Sequence, residues 1–243
     1  MKDYLIVTGA SKGFGHAVSI KMADKLDVVG ATLVSRSSMS TVAQSLESKI
    51  PVVHAVNADL SDLASLDASI DRILSTTKPQ LFDRIIFVNN AANLGHVGPA
   101  TKIDSLTSLR ESVDFNLTSS LWMSVCVSRL PGKKLIINVS SLLAIDPFPS
   151  MSVYSCIKAA RDSFAVAMAK EGAVETLNYA PGPLETDMAN ELRNAEDLDE
   201  SIKPHYAKVL IDPTDSAGVL VDIVASGSYS SGDHIDYYDV KKA

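Results

Sequence analysis

Seven short apolar runs punctuate this chain, and most are followed by a stretch with the length and pattern of a helix. That alternation restricts the fold more than any other feature. The runs are Leu5–Val7, Val28–Ser35, Val52–Val56, Arg84–Val88, Lys134–Val139, Glu175–Tyr179 and His234–Tyr238. The helical stretches run from the first glycine turn to about Leu26, then Ser38–Ser48, Leu63–Ser75, Ser105–Arg129, Val153–Glu171 and Thr214–Ala225. Continuously apolar strands alternating with helices predict a parallel sheet covered on both faces. Right-handed crossovers then give an α/β fold, a Rossmann-type doubly wound parallel sheet of about seven strands. With 243 residues and no internal repeat or linker, residues 1–243 read as a single domain.

Composition narrows the function classes. A net charge of −7 gives no basic footprint for nucleic acid. No apolar run approaches the roughly 18 residues needed to cross a bilayer, so no membrane partner is expected. Two cysteines, Cys126 and Cys156, form neither a framework nor a CxxC pair, and the five histidines lack metal-ligand spacing, so no metal is expected. The N-terminus shows no secretory pattern, and a reducing cytoplasmic setting is the expectation. On that setting the sequons at Asn116 and Asn138 are discounted.

In a doubly wound sheet, ligands bind beyond the carboxyl ends of the strands, and the chemistry-bearing residues follow the strands here. Thr8-Gly9-Ala10-Ser11-Lys12-Gly13-Phe14-Gly15 joins the first strand to the first helix. Gly9, Gly13 and Gly15 remove side chains where a dinucleotide must approach the backbone, and the helix N-terminus offers N–H groups to a pyrophosphate. The second strand ends in Ser35-Arg36-Ser37 rather than an acidic residue. Arg36 can pair with a ribose 2′-phosphate, and Lys12 can add a second charge, so NADP(H) is the expected cofactor. Asp59-Leu60 follows the third strand, where a carboxylate can accept from an adenine amino group. Asn89-Asn90-Ala91-Ala92 follows the fourth with small residues that let the chain pass close to the cofactor.

Tyr154 and Lys158 lie four residues apart on a predicted helix and share a face. Ser141 precedes Tyr154 by thirteen residues, after the fifth strand, and Asn116 lies within the long helical stretch upstream. Carbonyl reduction needs a proton on oxygen as well as a hydride on carbon. Tyr154 is placed to give the proton, the Lys158 ammonium to favour the phenolate, and Ser141 to hydrogen-bond the substrate oxygen.

The ordered set of TGxxxGxG, an NNAG-like segment, Asn, Ser and YxxxK resembles the short-chain dehydrogenase/reductase family over nearly the whole chain. The resemblance makes Ser141, Tyr154, Lys158 and Asn116 catalytic, with Lys158 also holding the nicotinamide ribose and Asn116 a water. It extends cofactor contact to Ser11, Phe14, Ser37, Leu60, Asn90, Ala91, Pro181, Gly182, Leu184, Thr186 and Met188, and implies a polar, irregular and mobile substrate lid over residues 184–204. Ala92 departs from the family glycine. Residues 8–15, 89–95, 139–148, 154–162, 179–188 and 231–239 resemble most the sepiapterin reductase group of that family. This implies a small-molecule pteridine substrate in tetrahydrobiopterin biosynthesis, held by Ser141, Leu142, Tyr154, Gly182 and Asp236, and a homodimer built on the helices 112–129 and 153–171. A reductase for a 3-oxoacyl thioester or a small diketone remains open, as does a non-catalytic nucleotide-binding protein.

Overall fold

Period-two burial along each central strand sorts the core into two layers. In β1 (Asp3–Thr8) Leu5 and Val7 face one side, Tyr4 and Ile6 the other. In β4 (Arg84–Asn89) Ile86 and Val88 oppose Ile85 and Phe87. The computed structural model describes residues 1–78, 81–208 and 210–241. The remaining strands are β2 (Val28–Ser35), β3 (Val53–Asn57), β5 (Lys133–Val139), β6 (Glu175–Ala180) and β7 (His234–Asp236). They form one seven-stranded sheet in the order β3-β2-β1-β4-β5-β6-β7, and every pairing is parallel. Helices α1 (Gly13–Lys25), α2 (Ser40–Glu47) and α9 (Pro213–Ser226) supply the first layer's covering side chains. Helices α3 (Leu66–Leu74), α5 (Ser120–Ser128) and α6 (Ser152–Glu171) cover the second. The chain order reverses between β1 and β4, which opens a crevice at their carboxyl ends.

Three expectations need correction. The stretch Ser105–Arg129 is not one continuous α-helix: α4 (Leu106–Val113) and α5 flank a π-helical turn, Asp114–Ser119. The last strand stops at Asp236, because Asp236 Oδ1 accepts from the Tyr238 N–H (2.8 Å) and Asp239 Oδ2 accepts from the Asp236 N–H (3.2 Å). That reciprocal cap starts a short helix, α10 (Tyr237–Lys241). Residues 184–204, expected to be irregular, fold into α7 (Asp187–Arg193) and the start of α8 (Lys203–Tyr206). Leu192, Leu198 and Ile202 pack on Leu94, Leu143 and Met151, so the polar sequence conceals a small apolar core of its own. Both sequon asparagines, Asn116 and Asn138, are buried.

Residues 184–204 are tied down at Ser150, where the backbone takes a left-handed φ of 65°. Its hydroxyl donates to the Asp197 carbonyl (3.1 Å) and accepts from the Asp199 N–H (2.9 Å). Ser150→Ala keeps the unfavourable φ and leaves two part-buried backbone groups unpaired. The expected cost is about 1–3 kcal/mol, seen as a melting midpoint lower by about 2–4 °C per kcal/mol at this chain length, with faster tryptic cleavage after Arg193. A midpoint and a cleavage rate equal to the parent's would refute this anchoring.

Candidate active site

The crevice widens into a cleft of about 1110 Å³ that runs from the glycine loop to the C-terminal segment. At one end the chain is built for close approach. Gly9 has φ +67°, and a Cβ at Gly15 would sit 2.3 Å from the Gly9 carbonyl oxygen. A Cβ at Gly9 would meet Asn90 Nδ2 at 2.7 Å. Asn90 holds the loop by donating to the carbonyls of Thr8 (2.9 Å) and Gly9 (3.3 Å). No side chain caps α1 at Lys12, so the first N–H groups of the helix keep their donor capacity toward the cleft. These residues fit a dinucleotide pyrophosphate. The Phe14 ring lies in the core, stacked on Tyr179 with centroids 6.0 Å apart.

Arg36 stands at the cleft wall, mostly exposed, with its guanidinium carbon 5.8 Å from the Phe115 ring centroid and Nη1 3.9 Å from Asp59 Oδ2. Asp59 itself does not line the cleft; its Oδ1 accepts from the Ser61 N–H (2.9 Å) and hydroxyl (2.6 Å). Lys12 pairs with Asp187 at the start of α7, 2.5 Å away, with both side chains exposed. Ser11, Ser37, Leu60, Ala91, Ala92, Pro181, Gly182, Leu184, Thr186 and Met188 all line the cleft. Among the described residues only Ser150 combines a side chain with positive φ, so Ala92 sits in ordinary backbone and its methyl group brings no strain there.

The residues that the sequence predicts to handle the proton come together on α6 and at the end of β5. Ser141, Leu142, Tyr154 and Lys158 line the same cleft. Ser141 Oγ accepts from the Leu143 N–H (3.2 Å), which leaves its own O–H free to donate. Lys158 is buried, its Nζ donating to the Val139 carbonyl (2.6 Å) and lying 5.3 Å from the Tyr154 ring centroid. Burial pushes the Tyr154 phenol above its usual range; Tyr206 adds to this and Arg161 opposes it. Burial also pushes Lys158 well below its usual range, with Arg161 reinforcing and Asp162 opposing. The phenol therefore does not show the lowered value that a neighbouring ammonium would produce.

Asn116 and Gly15 do not line the cleft. The π-turn aims Asn116 at Asn93: its Oδ1 accepts from the Asn93 N–H and its Nδ2 donates to Asn93 Oδ1, both at 2.8 Å. Asp236 does line it, with Oδ1 occupied by the cap of α10. Sequence reading gave no role to Arg161, which is buried and donates to Asn89 O (2.6 Å), Asn138 Oδ1 (2.9 Å) and Asn116 O (3.5 Å). Its spacing of three residues from Lys158 placed it on the same helix face and was the available signal. Phe148, His205 and Tyr206 were also missed; they line the cleft, where the Phe148 and His205 rings stack 6.1 Å apart. Among the described residues no group of acidic, histidine and cysteine side chains could hold a metal. No helix there is long and apolar enough to cross a membrane, and Cys126 and Cys156 are free.

The short chain dehydrogenase family profile matches residues 3–197. Sepiapterin reductase of Rattus norvegicus is 32% identical, covering 97% of this chain and 96% of its own. That of Xenopus laevis is 33% identical, covering 96% and 95%. Benzil reductase of Bacillus subtilis is 25% identical, covering 99% of both. Among solved structures, the KRED1-Pglu enzyme superposes with a TM-score of 0.80 at 24% identity, covering 96% of this chain and 100% of that one, a likeness of fold alone.

The cofactor end of the cleft yields a prediction. The sequence predicts that Arg36 meets a 2′-phosphate; on that expectation Arg36→Ala should weaken NADPH binding by roughly 10- to 100-fold, the loss of a charge-assisted bidentate contact. NADH affinity should stay within about twofold. Nucleotide fluorescence titrations check both, and a parent protein that binds the two nucleotides equally would contradict the assignment.

Proposed function

Because the chain belongs to the short-chain dehydrogenase family, we propose that this oxidoreductase is an NADPH-dependent carbonyl reductase of sepiapterin reductase type. Its substrate on this reading is a pteridine side-chain ketone of tetrahydrobiopterin biosynthesis. The observation that carries the proposal is one cleft lined at once by the glycine loop, Arg36, Ser141, Tyr154, Lys158 and Asp236. The likeness to curated sepiapterin reductases over nearly the full chain supports it. Cytoplasmic residence and a homodimer paired through α5 and α6 accompany the same reading.

NADPH, when bound, supplies the hydride. Ser141 donates its free O–H to the carbonyl oxygen as charge gathers there. Tyr154 gives that oxygen its proton. Lys158 holds the nicotinamide ribose, and Ala91 and Ala92 keep the floor of the cleft narrow. Asp236 keeps Oδ2 for the 2-amino and ring N–H donors of a pterin while Oδ1 caps α10. A diketone is the second reading, favoured by the likeness to benzil reductase along the whole chain.

Two predictions test this reading. The first concerns the proton donor. Reduction needs the protonated phenol, so the rate is present below the phenol pKa and lost as pH rises through it. Because burial raises that pKa, kcat should stay level through neutrality and fall only above about pH 10, the ordinary phenol value. Tyr154→Phe should cut kcat by about 10²–10⁴ at every pH while NADPH still binds. A fall centred near pH 7–8 would show that the ammonium outweighs burial.

The second concerns the substrate. The parent protein should oxidise NADPH with sepiapterin and not with an acyl thioester. Asp236→Asn keeps the cap oxygen but turns an amide donor toward the pterin donors. A loss of roughly 10- to 200-fold in kcat/KM for sepiapterin is expected, with a small diketone barely affected. Equal losses on both substrates would reduce Asp236 to its cap.

A further inference from the structure

Asp236 sits on the least supported strand of the sheet. β7 has three residues, lies at an edge, and pairs only with β6, through Asn178–His234, Tyr179–Ile235 and Ala180–Asp236. So short an edge strand contributes little to its own placement. Apolar contact of Ile235 and Tyr237 with the core holds one side of the segment. On the other side, among the described residues, there is a single side-chain hydrogen bond to the rest of the chain: His234 Nδ1–H donates to Asp162 Oδ2 at 2.7 Å. Both side chains are largely buried, and His234 Nε2 is enclosed with no partner, so this hydrogen bond alone orients the ring.

Asp162 lies on α6, four residues beyond Lys158 and eight beyond Tyr154. The same carboxylate accepts from the Ser140 hydroxyl at Oδ2 (2.8 Å) and from Asn138 Nδ2 at Oδ1 (2.8 Å). Ser140 is the neighbour of Ser141, and His234 is two residues from Asp236 on the same face of β7. One carboxylate thus reaches the end of β5 beside Ser141 and the strand that carries Asp236, from the helix that carries the proton donor. Neither Asp162 nor His234 lines the cleft.

We propose that Asp162 and His234 are a positioning pair that holds the substrate-anchoring segment 234–241 in register with Tyr154 and Ser141. Its consequence for substrate rests on the pteridine reading above; the tether itself does not. Carboxylate-to-imidazole hydrogen bonds in a partly buried setting fix a side chain more firmly than neutral ones. Losing this one frees β7 to slide relative to α6 while the glycine loop, at the end of β1 four strands away, is untouched. A merely structural pair would lower stability and depress every substrate alike. A positioning pair raises KM selectively for the substrate that reaches Asp236.

The test compares His234→Leu, which removes the donor, with His234→Asn, whose Nδ2 can occupy the place of Nδ1. Amide hydrogen exchange of the C-terminal peptide covering residues 230–241 is measured alongside steady-state kinetics. In His234→Leu, exchange of that peptide should accelerate by at least about 10-fold, the loss of one charge-assisted hydrogen bond. KM for sepiapterin should rise by a similar factor, with kcat for a small diketone and NADPH affinity within about twofold of the parent. His234→Asn should restore both exchange and KM. Unchanged exchange in His234→Leu, or an equal loss on both substrates, overturns the pair as a positioning device. If the parent protein does not reduce sepiapterin, the pteridine reading fails, and the exchange comparison still decides the tether by itself.

Discussion

The site depends on where a buried guanidinium finds its acceptors. Arg161 is 2% exposed, and burial lowers its pKa to about 10, against the opposing pull of Tyr154 and Asp162. It therefore stays charged at neutral pH with no carboxylate in hydrogen-bond contact, and its donors must be met by neutral oxygens. These come from the end of β4 (Asn89 O), the end of β5 (Asn138 Oδ1) and the π-turn (Asn116 O). Leaving such a charge unpaired costs several kcal/mol. The geometry that satisfies it fixes three separate chain segments against α6, and with them the positions of Ser141, Tyr154 and Lys158.

The π-turn belongs to the same arrangement. One added residue in the helical ladder shifts the face of the helix presented to the sheet, which is how Asn116 comes to meet Asn93 in a reciprocal pair while its carbonyl reaches toward Arg161. Asn93 in turn belongs to the loop after β4 that forms the cleft floor. On the other side of that floor, Asn90 clasps the glycine loop through the carbonyls of Thr8 and Gly9. The loop after β4 is thus held at two points by asparagine side chains, and the two halves of the cleft share one set of walls.

Much of this was legible in the sequence, for reasons that are physical. Strands buried on both faces must be continuously apolar, so β1, β4 and β5 were visible as runs, and the parallel order followed from the helices between them. Glycine spacing exposed the dinucleotide loop because a Cβ at Gly15 would collide with the Gly9 carbonyl. What escaped was of another kind. A π-turn inserts one residue without changing composition, so Ser105–Arg129 read as a single helix. The lid read as polar because its core uses only a few apolar residues, widely spaced, among them Leu192, Leu198 and Ile202. Arg161 and Asp162 were given no role, since nothing local signals that their partners come from distant strands.

The two central titratable groups are displaced in opposite directions, and this bears on how a proton would be replaced after each turnover. Burial raises the Tyr154 phenol and lowers the Lys158 ammonium. A phenolate left by proton donation would be a stronger base than free tyrosinate, and the ammonium close to its ring is a stronger acid than free lysine. Both shifts favour return of a proton toward the phenol. Arg161 acts on both groups, opposing the rise of the phenol and reinforcing the fall of Lys158 through its fixed charge one turn along the helix. Asp162 opposes the fall of Lys158. The guanidinium that organises the site mechanically therefore also acts on both of its buried titratable groups, and a substitution at Arg161 would change geometry and both proton affinities together.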